Sequence, residues 1–329
     1  MTTVEIDPIG GRFERFKAFL IRGFLRRTFF RVLGPPHTAT FQRRCIEWLS
    51  LFSPVPWGVV RERAMAGSVS VEITAVPTDK SSGAILYIHG GGFCVGCPVT
   101  HRTVTSHLAL QSRMSVWTPD YRLAPEHPYP AALDDVECTY HEMQRAGYAA
   151  EHIVLAGDSA GAALALGLAI RLRNKNESLP GGLMLLSPVT DLDRSAEDRT
   201  SGTVNDPMVR SAWLDQILGW YSCPSGIPEH SPLKIDLTGL PPILIQVGDG
   251  ELLLSDSTRL AEHAARCQID CRLEIHRERW HVFHLQARFL PSARAALKTL
   301  ASFARSVTQI PRRMKDSNIK LNEVRAEST

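Results

Sequence analysis

The chain alternates between short apolar runs and longer segments in which apolar residues recur every three or four positions. The short runs are typical of buried strands, and the longer segments are typical of helices packed on a sheet. From residue 84 onward the two kinds alternate regularly, which predicts a three-layer α/β fold with a mostly parallel sheet flanked by helices. The predicted strands are 59–65, 69–76, 84–88, 115–118, 152–156, 183–187, 242–247 and 271–276, the first two forming an antiparallel pair at one edge. The predicted helices are about 99–112, 130–146, 160–173, 255–267 and 285–304.

Two segments depart from this alternation. Residues 1–56 are expected to be helical, broken only at Gly34-Pro35-Pro36, and we interpret them as an N-terminal cap segment. More than fifty residues separate the strands that end near 187 and begin near 242, which is long for an ordinary connection. We therefore predict a second cap segment at 190–235, although one more crossover helix with long loops is the competing interpretation. This segment would be inserted in an α/β domain of residues 57–310, followed by a flexible tail at 311–329.

The first predicted helix is strongly basic. Residues 12–31 contain seven basic residues and one acidic residue, a charge of +6, although the whole chain of 329 residues carries a formal net charge of only +3. The apolar residues Phe13, Phe16, Leu20 and Phe24 recur in this segment at helical spacing. We expect this apolar face to pack over the α/β domain as part of a lid, and attachment to a membrane surface is the competing interpretation.

Composition excludes several classes of protein. With 44% hydrophobic residues the chain can bury a large core, and its small net charge does not favour nucleic-acid binding. No apolar run reaches the roughly 18 residues of a membrane span, and basic residues interrupt the N-terminal segment too often for a signal peptide. The seven cysteines show neither paired CxxC motifs nor a zinc pattern. We interpret them as free thiols of a cytoplasmic protein, and we expect no metal and no cofactor.

One serine lies where a predicted strand meets a predicted helix. Gly157 and Gly161 flank Ser159 in the sequence Gly-Asp-Ser-Ala-Gly. This is the G-x-S-x-G pattern of a nucleophile elbow, in which a strained turn exposes the serine hydroxyl above a parallel sheet. The pattern therefore predicts that Ser159 is a nucleophile.

A run of three glycines follows the predicted strand 84–88. Glycine allows backbone N–H groups to approach a substrate with no Cβ atom in the way, which suits the stabilisation of an oxyanion. We predict an oxyanion hole formed by the backbone N–H groups of Gly91, Gly92 and Ala160.

A carboxylate and a histidine follow the next predicted strands in the order that this chemistry requires. Ligands of an α/β sheet gather at the carboxyl ends of the strands. Glu251 and Asp249 both follow the strand 242–247, and His281 follows the strand 271–276. An imidazole can take the proton of a serine hydroxyl, and a carboxylate can orient the imidazole. We predict that His281 is the base and that Glu251 or Asp249 is the acid.

The motifs together resemble those of the bacterial hormone-sensitive lipase family of α/β-hydrolases. The resemblance is carried by His-Gly-Gly-Gly-Phe at 89–93, Tyr-Arg-Leu-Ala-Pro-Glu-His-Pro-Tyr-Pro at 121–130 and Gly-Asp-Ser-Ala-Gly at 157–161. It covers roughly residues 60–305 and implies a carboxylesterase with a cap built from the N-terminus and the insertion. The family's usual acid is an aspartate, and the residue at the aligned position is Glu251, which the resemblance favours over Asp249.

We therefore expect a serine carboxylesterase that hydrolyses short- to medium-chain acyl esters through an acyl-enzyme. A lactone hydrolase, or an amidase or deacetylase, could use the same triad, and a non-catalytic small-molecule receptor on this fold is a further alternative. The expected partner is a small-molecule ester or lactone, without nucleic acid and without membrane contact, and the resemblance is compatible with a homodimer. The candidate residues of the substrate pocket are Phe93, Met208 and Trp213.

Overall fold

Nine β-strands and eight α-helices make up the part of the chain that the computed structural model describes, which is residues 1–51, 55–77, 81–190, 192 and 206–308. The strands are β1 (Thr2–Ile6), β2 (Val60–Ala66), β3 (Val69–Ala75), β4 (Ala84–Ile88), β5 (Ser115–Pro119), β6 (Ile153–Asp158), β7 (Gly182–Leu186), β8 (Ile243–Gly248) and β9 (Cys271–His276). The helices are α1 (Gly11–Val32), α2 (Ala39–Ser50), α3 (Arg102–Ser112), α4 (Ala131–Arg145), α5 (Ala160–Asn174), α6 (Ser211–Tyr221), α7 (Leu254–Arg266) and α8 (Pro291–Val307).

All nine strands join in one sheet, in the order β1-β9-β8-β7-β6-β4-β5-β3-β2. The strands from β1 to β5 along this order are parallel, and β2 and β3 form an antiparallel edge. Every residue of β4, β6, β7 and β8 is buried. Central strands that are buried on both sides need helices on both faces of the sheet. The predicted α/β architecture with its antiparallel edge is therefore confirmed.

The last helix begins later than the sequence pattern predicts. A 3-10 turn at Phe283–Gln286 precedes it, and α8 starts only at Pro291 rather than near 285. Proline has no backbone N–H group and fits the first turn of a helix, which explains where α8 begins.

The first residues form a strand, which corrects the expectation of a wholly helical N-terminal segment. β1 pairs in parallel with β9, so that Thr2 lies opposite Arg272 and Ile6 lies opposite His276. Threonine, valine and isoleucine are branched at Cβ and favour extended backbone. This pairing ties the start of the chain to the edge of the sheet.

The structure also turns the predicted apolar face of α1 away from the α/β domain, so the expectation that this face packs on the domain is wrong. The four residues of that face are between 53% and 69% exposed: Phe13, Phe16, Leu20 and Phe24. The opposite face packs inward, with Ala18 and Leu25 buried. Buried Glu14 fixes this orientation, because its carboxylate accepts hydrogen bonds from the backbone and hydroxyl of Ser292 at 2.9 and 2.6 Å. Periodicity alone could not distinguish the two faces, because both carry apolar residues.

The helices α2 and α6 contact one another beside the glycine run. Trp213 of α6 donates from Nε1 to Gln42 Oε1 of α2 at 3.0 Å. Arg43 of α2 donates to the carbonyl oxygen of Cys94 at 2.7 Å and forms an ion pair with Glu126 at 2.6 Å. These contacts attach α2 both to α6 and to the α/β domain.

The predicted second cap segment at 190–235 includes α6. Within that segment, 191 and 193–205 lie outside the described residues, as does the predicted tail at 311–329. The domain boundaries remain predictions. No helix in the described ranges combines the length and the hydropathy that crossing a bilayer requires.

Candidate active site

Ser159 lies in the sharp turn between β6 and α5. Its backbone angles, φ 53° and ψ −118°, are outside the regions that residues other than glycine ordinarily occupy. The backbone N–H of Ser159 donates to the carbonyl oxygen of Leu186 at 2.8 Å, which holds the turn against β7. A Cβ atom at Gly161 would lie 2.0 Å from the carbonyl oxygen of Ile88, so only glycine fits there. Since α5 begins at Ala160, the positive end of its dipole is directed at this turn.

The glycine run after β4 presents unpaired backbone donors. Gly91 has a φ of +115°, and its carbonyl oxygen accepts hydrogen bonds from the amides of Cys94 and Val95 at 3.1 and 3.0 Å. Within the part of the chain that the structure describes, no acceptor receives a hydrogen bond from the backbone N–H groups of Gly91, Gly92 or Ala160. Fixed N–H groups without a protein partner can bind an oxygen that becomes negatively charged.

His281 and Glu251 form a buried acid–imidazole pair. The distance from His281 Nδ1 to Glu251 Oε2 is 2.8 Å, and both side chains are nearly inaccessible to solvent. Burial alone would lower the pKa of His281, but the hydrogen bond and the charge of Glu251 outweigh it and raise that pKa. Burial raises the pKa of Glu251 against the opposing effect of His281. An imidazole held in this way has Nδ1 occupied and Nε2 available for proton transfer.

The alternative acid, Asp249, and the two histidines nearest His281 in the sequence have other surroundings. The Asp249 side chain is exposed, and the Nδ1 atom of His281 is bonded to Glu251 instead. His276 is part of β9, with its Nε2 3.7 Å from Glu274 Oε2. His284 is fully buried, with Nε2 2.9 Å from the side-chain oxygen of Gln246, and burial lowers its pKa well below the ordinary value. Both histidines therefore contact residues of the sheet rather than Glu251.

Ser187 supports Glu251, a role that sequence reasoning missed. Its hydroxyl donates to Glu251 Oε1 at 2.9 Å and accepts a hydrogen bond from the backbone N–H of Val282 at 3.2 Å. The backbone N–H of Gly248 also donates to Glu251 Oε1, at 2.5 Å. The position of Ser187 at the carboxyl end of a predicted strand is a signal that could have identified it.

Asp206, which falls in the predicted second cap segment, contacts the acid loop, by which we mean the loop after β8 that contains Glu251. One oxygen of its buried carboxylate accepts hydrogen bonds from the amides of Met208 and Val209 at 2.8 and 3.1 Å, and the other accepts from the amide of Leu252 at 3.1 Å. Its negative charge contributes to the raised pKa of Glu251. No motif in the sequence indicated this residue.

A second buried acid–imidazole pair lies beneath the glycine run. Asp158 Oδ2 is 3.3 Å from His101 Nε2, while Asp158 Oδ1 accepts hydrogen bonds from Tyr87 Oη at 2.7 Å and from the backbone N–H of Gly90 at 3.1 Å. Burial opposes the charge of Asp158, but His101 and Tyr87 outweigh it and lower the pKa of Asp158 to about 2. His89 stacks on the ring of His101 with a centroid distance of 5.5 Å, and burial lowers its pKa to about 3. Through the hydrogen bond from Gly90, this pair supports the glycine run.

A largely apolar cavity of about 660 Å³ reaches Ser159 and His281. This volume is typical of sites for small molecules. Two of the three predicted pocket residues, Met208 and Trp213, line it. Phe93 does not, because its side chain is buried in a stack with Tyr221, with ring centroids 3.8 Å apart.

Comparisons with known proteins find relatives that share this fold. A family model for the alpha/beta hydrolase fold matches residues 85–285. An esterase from Acinetobacter venetianus is 36% identical over 260 residues, covering 78% of this chain and 85% of the esterase. The crystal structure of an esterase from the bacterial hormone-sensitive lipase family superimposes with a TM-score of 0.83 at 33% identity, covering 89% of this chain and 98% of the other.

The chain belongs to the bacterial hormone-sensitive lipase family of α/β-hydrolases. As a member of this family it is a carboxylic ester hydrolase, which confirms both the resemblance and the enzyme class that the motifs predicted. An acetyl-hydrolase from Streptomyces hygroscopicus is a further relative, 34% identical over 235 residues that cover 70% of this chain and 78% of the acetyl-hydrolase.

Proposed function

We propose that this carboxylic ester hydrolase acts on short- to medium-chain acyl esters through an acyl-enzyme formed on Ser159. His281 is the general base and acid, and Glu251 orients it. The backbone N–H groups of Gly91, Gly92 and Ala160 bind the oxyanion. The chemistry uses only these groups and water.

In the first half-reaction the hydroxyl oxygen of Ser159 attacks the ester carbonyl carbon while His281 Nε2 takes the hydroxyl proton. The carbonyl oxygen becomes an oxyanion, to which the three backbone N–H groups donate hydrogen bonds. The bond to the alcohol oxygen then breaks, and His281 returns the proton to the leaving alcohol. The product is an ester between the acyl group and Ser159.

In the second half-reaction a water molecule replaces the alcohol. His281 takes a proton from the water as its oxygen attacks the acyl carbon, and the oxyanion forms again. The bond to Ser159 breaks, the serine oxygen regains the proton from His281, and the carboxylic acid leaves. The enzyme returns to its starting state.

The observation that carries this proposal is the 2.8 Å contact between His281 Nδ1 and Glu251 Oε2. Because Nδ1 is bonded to Glu251, Nε2 of the buried imidazole is available for proton transfer. His281 lines the same cavity as Ser159 and Gly91. The contact also argues against a receptor, because ligand binding alone does not need a paired acid and base at one cavity.

Acyl esters as substrates are supported by the relatives and by the cavity, and the acetyl-hydrolase among the relatives favours short acyl groups. The curated relatives include an esterase and an acetyl-hydrolase, and the cavity wall beside Ser159 is largely apolar. Lactones, amides and acetylated amines could react by the same steps, since the triad determines the nucleophile and not the leaving group.

The experiment is a series of p-nitrophenyl esters from acetate to palmitate, assayed with the full chain and with Ser159→Ala. We expect kcat/KM to peak at short or medium chains and to fall to background in the variant. A peak at palmitate would contradict the proposed acyl length. Full activity of Ser159→Ala, with its fold verified by circular dichroism, would contradict the proposed site.

A further inference from the structure

The outward face of α1 is the most unusual surface of the described chain. Four of its residues form an apolar stripe at spacings of three and four residues, which we call the α1 stripe: Phe13, Phe16, Leu20 and Phe24. Each is more than half exposed, and Phe19 beside them is 73% exposed. Soluble proteins seldom expose contiguous apolar patches of this kind unless the patch contacts a partner.

Contacts on the opposite face of α1 fix the orientation of the α1 stripe. β1 pairs with β9 on the N-terminal side of α1. Within α1, Glu14 lies 3.1 Å from the Arg279 guanidinium and also accepts hydrogen bonds from Ser292. These contacts hold the inner face of α1 on the domain. The stripe therefore cannot turn inward without breaking a buried charge network.

Basic side chains surround the stripe. Arg12, Arg27 and Arg31 are exposed on the same helix, and the Lys17 ammonium lies 4.4 Å from the centroid of the Phe13 ring. Aromatic residues flanked by arginine and lysine are typical of helices that lie in the plane of a membrane surface. A charge of +6 between residues 12 and 31 favours an anionic surface and would repel the same helix of a second copy.

The cavity opens beside the α1 stripe. Phe24, Trp48 and Phe289 all line the cavity that reaches Ser159, and all three are also between 46% and 60% exposed. They therefore form part of its mouth. An apolar path leads from the stripe, past these aromatic side chains, to Ser159.

We propose that the α1 stripe and its basic flanks dock this protein on an anionic lipid bilayer, and that the cavity takes acyl esters from that surface. The second half of this statement rests on the proposed function, whereas docking does not. The sequence suggested no membrane contact because the apolar face of α1 was expected to be covered. The structure exposes that face, which reverses the expectation.

The first test is co-sedimentation of the full chain with sucrose-loaded vesicles. Vesicles of phosphatidylcholine alone are compared with vesicles in which about a quarter of the lipid is phosphatidylglycerol. We expect at least about tenfold stronger partitioning onto the anionic vesicles at low salt, declining as salt screens the basic residues.

Two variants separate the apolar and the charged contributions. The triple variant Phe13→Ser, Phe16→Ser, Leu20→Ser should lose about tenfold or more in partitioning, because the apolar face no longer enters the interface. A matched control, Val60→Ser with Met65→Ser, removes exposed apolar side chains from the edge strand β2 and should bind vesicles as the wild type does.

The charge variant is Arg12→Gln, Arg27→Gln, Arg31→Gln. It should also lose about tenfold or more on anionic vesicles, and it should bind neutral vesicles as the wild type does. Hydrolysis of p-nitrophenyl acetate in solution should be unchanged in this variant and in the triple variant of the α1 stripe. Ser159→Ala should pellet normally without hydrolysing the ester, which separates failure of docking from failure of the proposed chemistry.

Three results would overturn docking. The first is a wild-type protein that stays in the supernatant with anionic vesicles. The second is a folded triple variant Phe13→Ser, Phe16→Ser, Leu20→Ser that pellets as the wild type does. The third is a wild-type dimer in analytical ultracentrifugation that the serine substitutions convert to a monomer, without vesicle binding by either form. That result would assign the α1 stripe to a contact between copies. If the triple variant of the α1 stripe fails to fold, partitioning of the charge variant onto anionic vesicles at the wild-type level would overturn the proposal.

Discussion

The protein contains two buried acid–imidazole pairs that differ in what they can do. Glu251 and His281 are 2.8 Å apart, and Asp158 and His101 are 3.3 Å apart. In both pairs burial disfavours charge and the carboxylate raises the pKa of its histidine. The carboxylates themselves differ, since the pKa of Glu251 is raised whereas that of Asp158 is lowered to about 2.

The surroundings of each carboxylate explain the difference. Each carboxylate accepts hydrogen bonds from one hydroxyl and one backbone N–H besides contacting its histidine. These donors are Tyr87 and Gly90 for Asp158, and Ser187 and Gly248 for Glu251, so they do not distinguish the two pairs. Glu251 lies near the negative charge of Asp206, which adds to the effect of burial. The Asp158 pair is therefore a charged brace, whereas the Glu251 pair contains an imidazole that can gain and lose a proton during turnover.

The largest expected effect is at Ser159, the proposed nucleophile. Ser159→Ala should lower kcat by about 10⁴–10⁶-fold, because neither pair can replace the missing hydroxyl. Steady-state assay of p-nitrophenyl butyrate measures this, with Ser222→Ala in the turn after α6 as a control that should retain wild-type activity. Comparable losses in both variants would show that the assay reports stability rather than chemistry.

The next largest effect should separate the two acids of the loop after β8. Glu251→Gln should lower kcat by about 10⁴-fold, because the amide cannot stabilise the imidazolium or fix its tautomer. Asp249→Asn is the matched control and should remain near wild-type activity. The opposite pair of results would assign the acid to Asp249.

Changing the Asp158–His101 pair should lower the stability of the fold. Asp158→Asn should reduce the free energy of unfolding by about 3–5 kcal/mol, since it leaves His101 buried without its counter-charge. The pKa of Asp158 falls from 3.8 to about 2 on folding, so the wild type keeps this contribution above pH 3.8 and loses it as the pH falls towards 2. Urea unfolding of both proteins across that range measures the effect. An unfolding free energy equal to that of the wild type at neutral pH would contradict the brace.

The pH dependence of activity should reflect the pKa of His281 in the Glu251–His281 pair. As the proposed base, His281 can take a proton only when it is neutral, so we expect kcat/KM to fall as the pH drops through its pKa. Because that pKa is raised above 6.5, the midpoint of the acid limb should lie above 6.5 in the wild type. The residual activity of Glu251→Gln should show a lower midpoint, and Asp249→Asn should not move it. A midpoint that stays unchanged in Glu251→Gln would contradict the assigned contact.

The smallest effect should be at the residue behind the acid. Ser187→Ala removes one donor to Glu251 and the acceptor for the backbone N–H of Val282, and should lower kcat about tenfold with little change in KM. Ser187→Thr keeps the hydroxyl and should restore part of the loss. A change confined to KM would mean that Ser187 acts on substrate binding instead.

Much of the fold and of the candidate site was predictable because each depends on local patterns. Strands buried on both faces are largely apolar, which is why β4 and β6 to β8 were evident in the sequence. The turn at Ser159 needs glycine on both sides, and the order of Ser159, Glu251 and His281 follows from strand ends that meet at one edge of the sheet.

Other features depend on contacts between distant segments. β1 is an edge strand with one neighbouring strand, so its short polar sequence gives a weak signal. The orientation of α1 is set by Glu14, whose partner Ser292 lies near the other end of the chain. Asp206 acts through backbone N–H groups of its own loop and of the acid loop, which no side-chain pattern reveals.

The proposed triad can be tested most directly by covalent labelling with a p-nitrophenyl phosphonate, followed by peptide mass mapping. We predict one phosphonyl group per chain, located on Ser159, and a labelling rate that falls by about 10³-fold or more in His281→Ala. A phosphonyl group on another residue, or labelling of Ser159 at the wild-type rate without His281, would contradict the account.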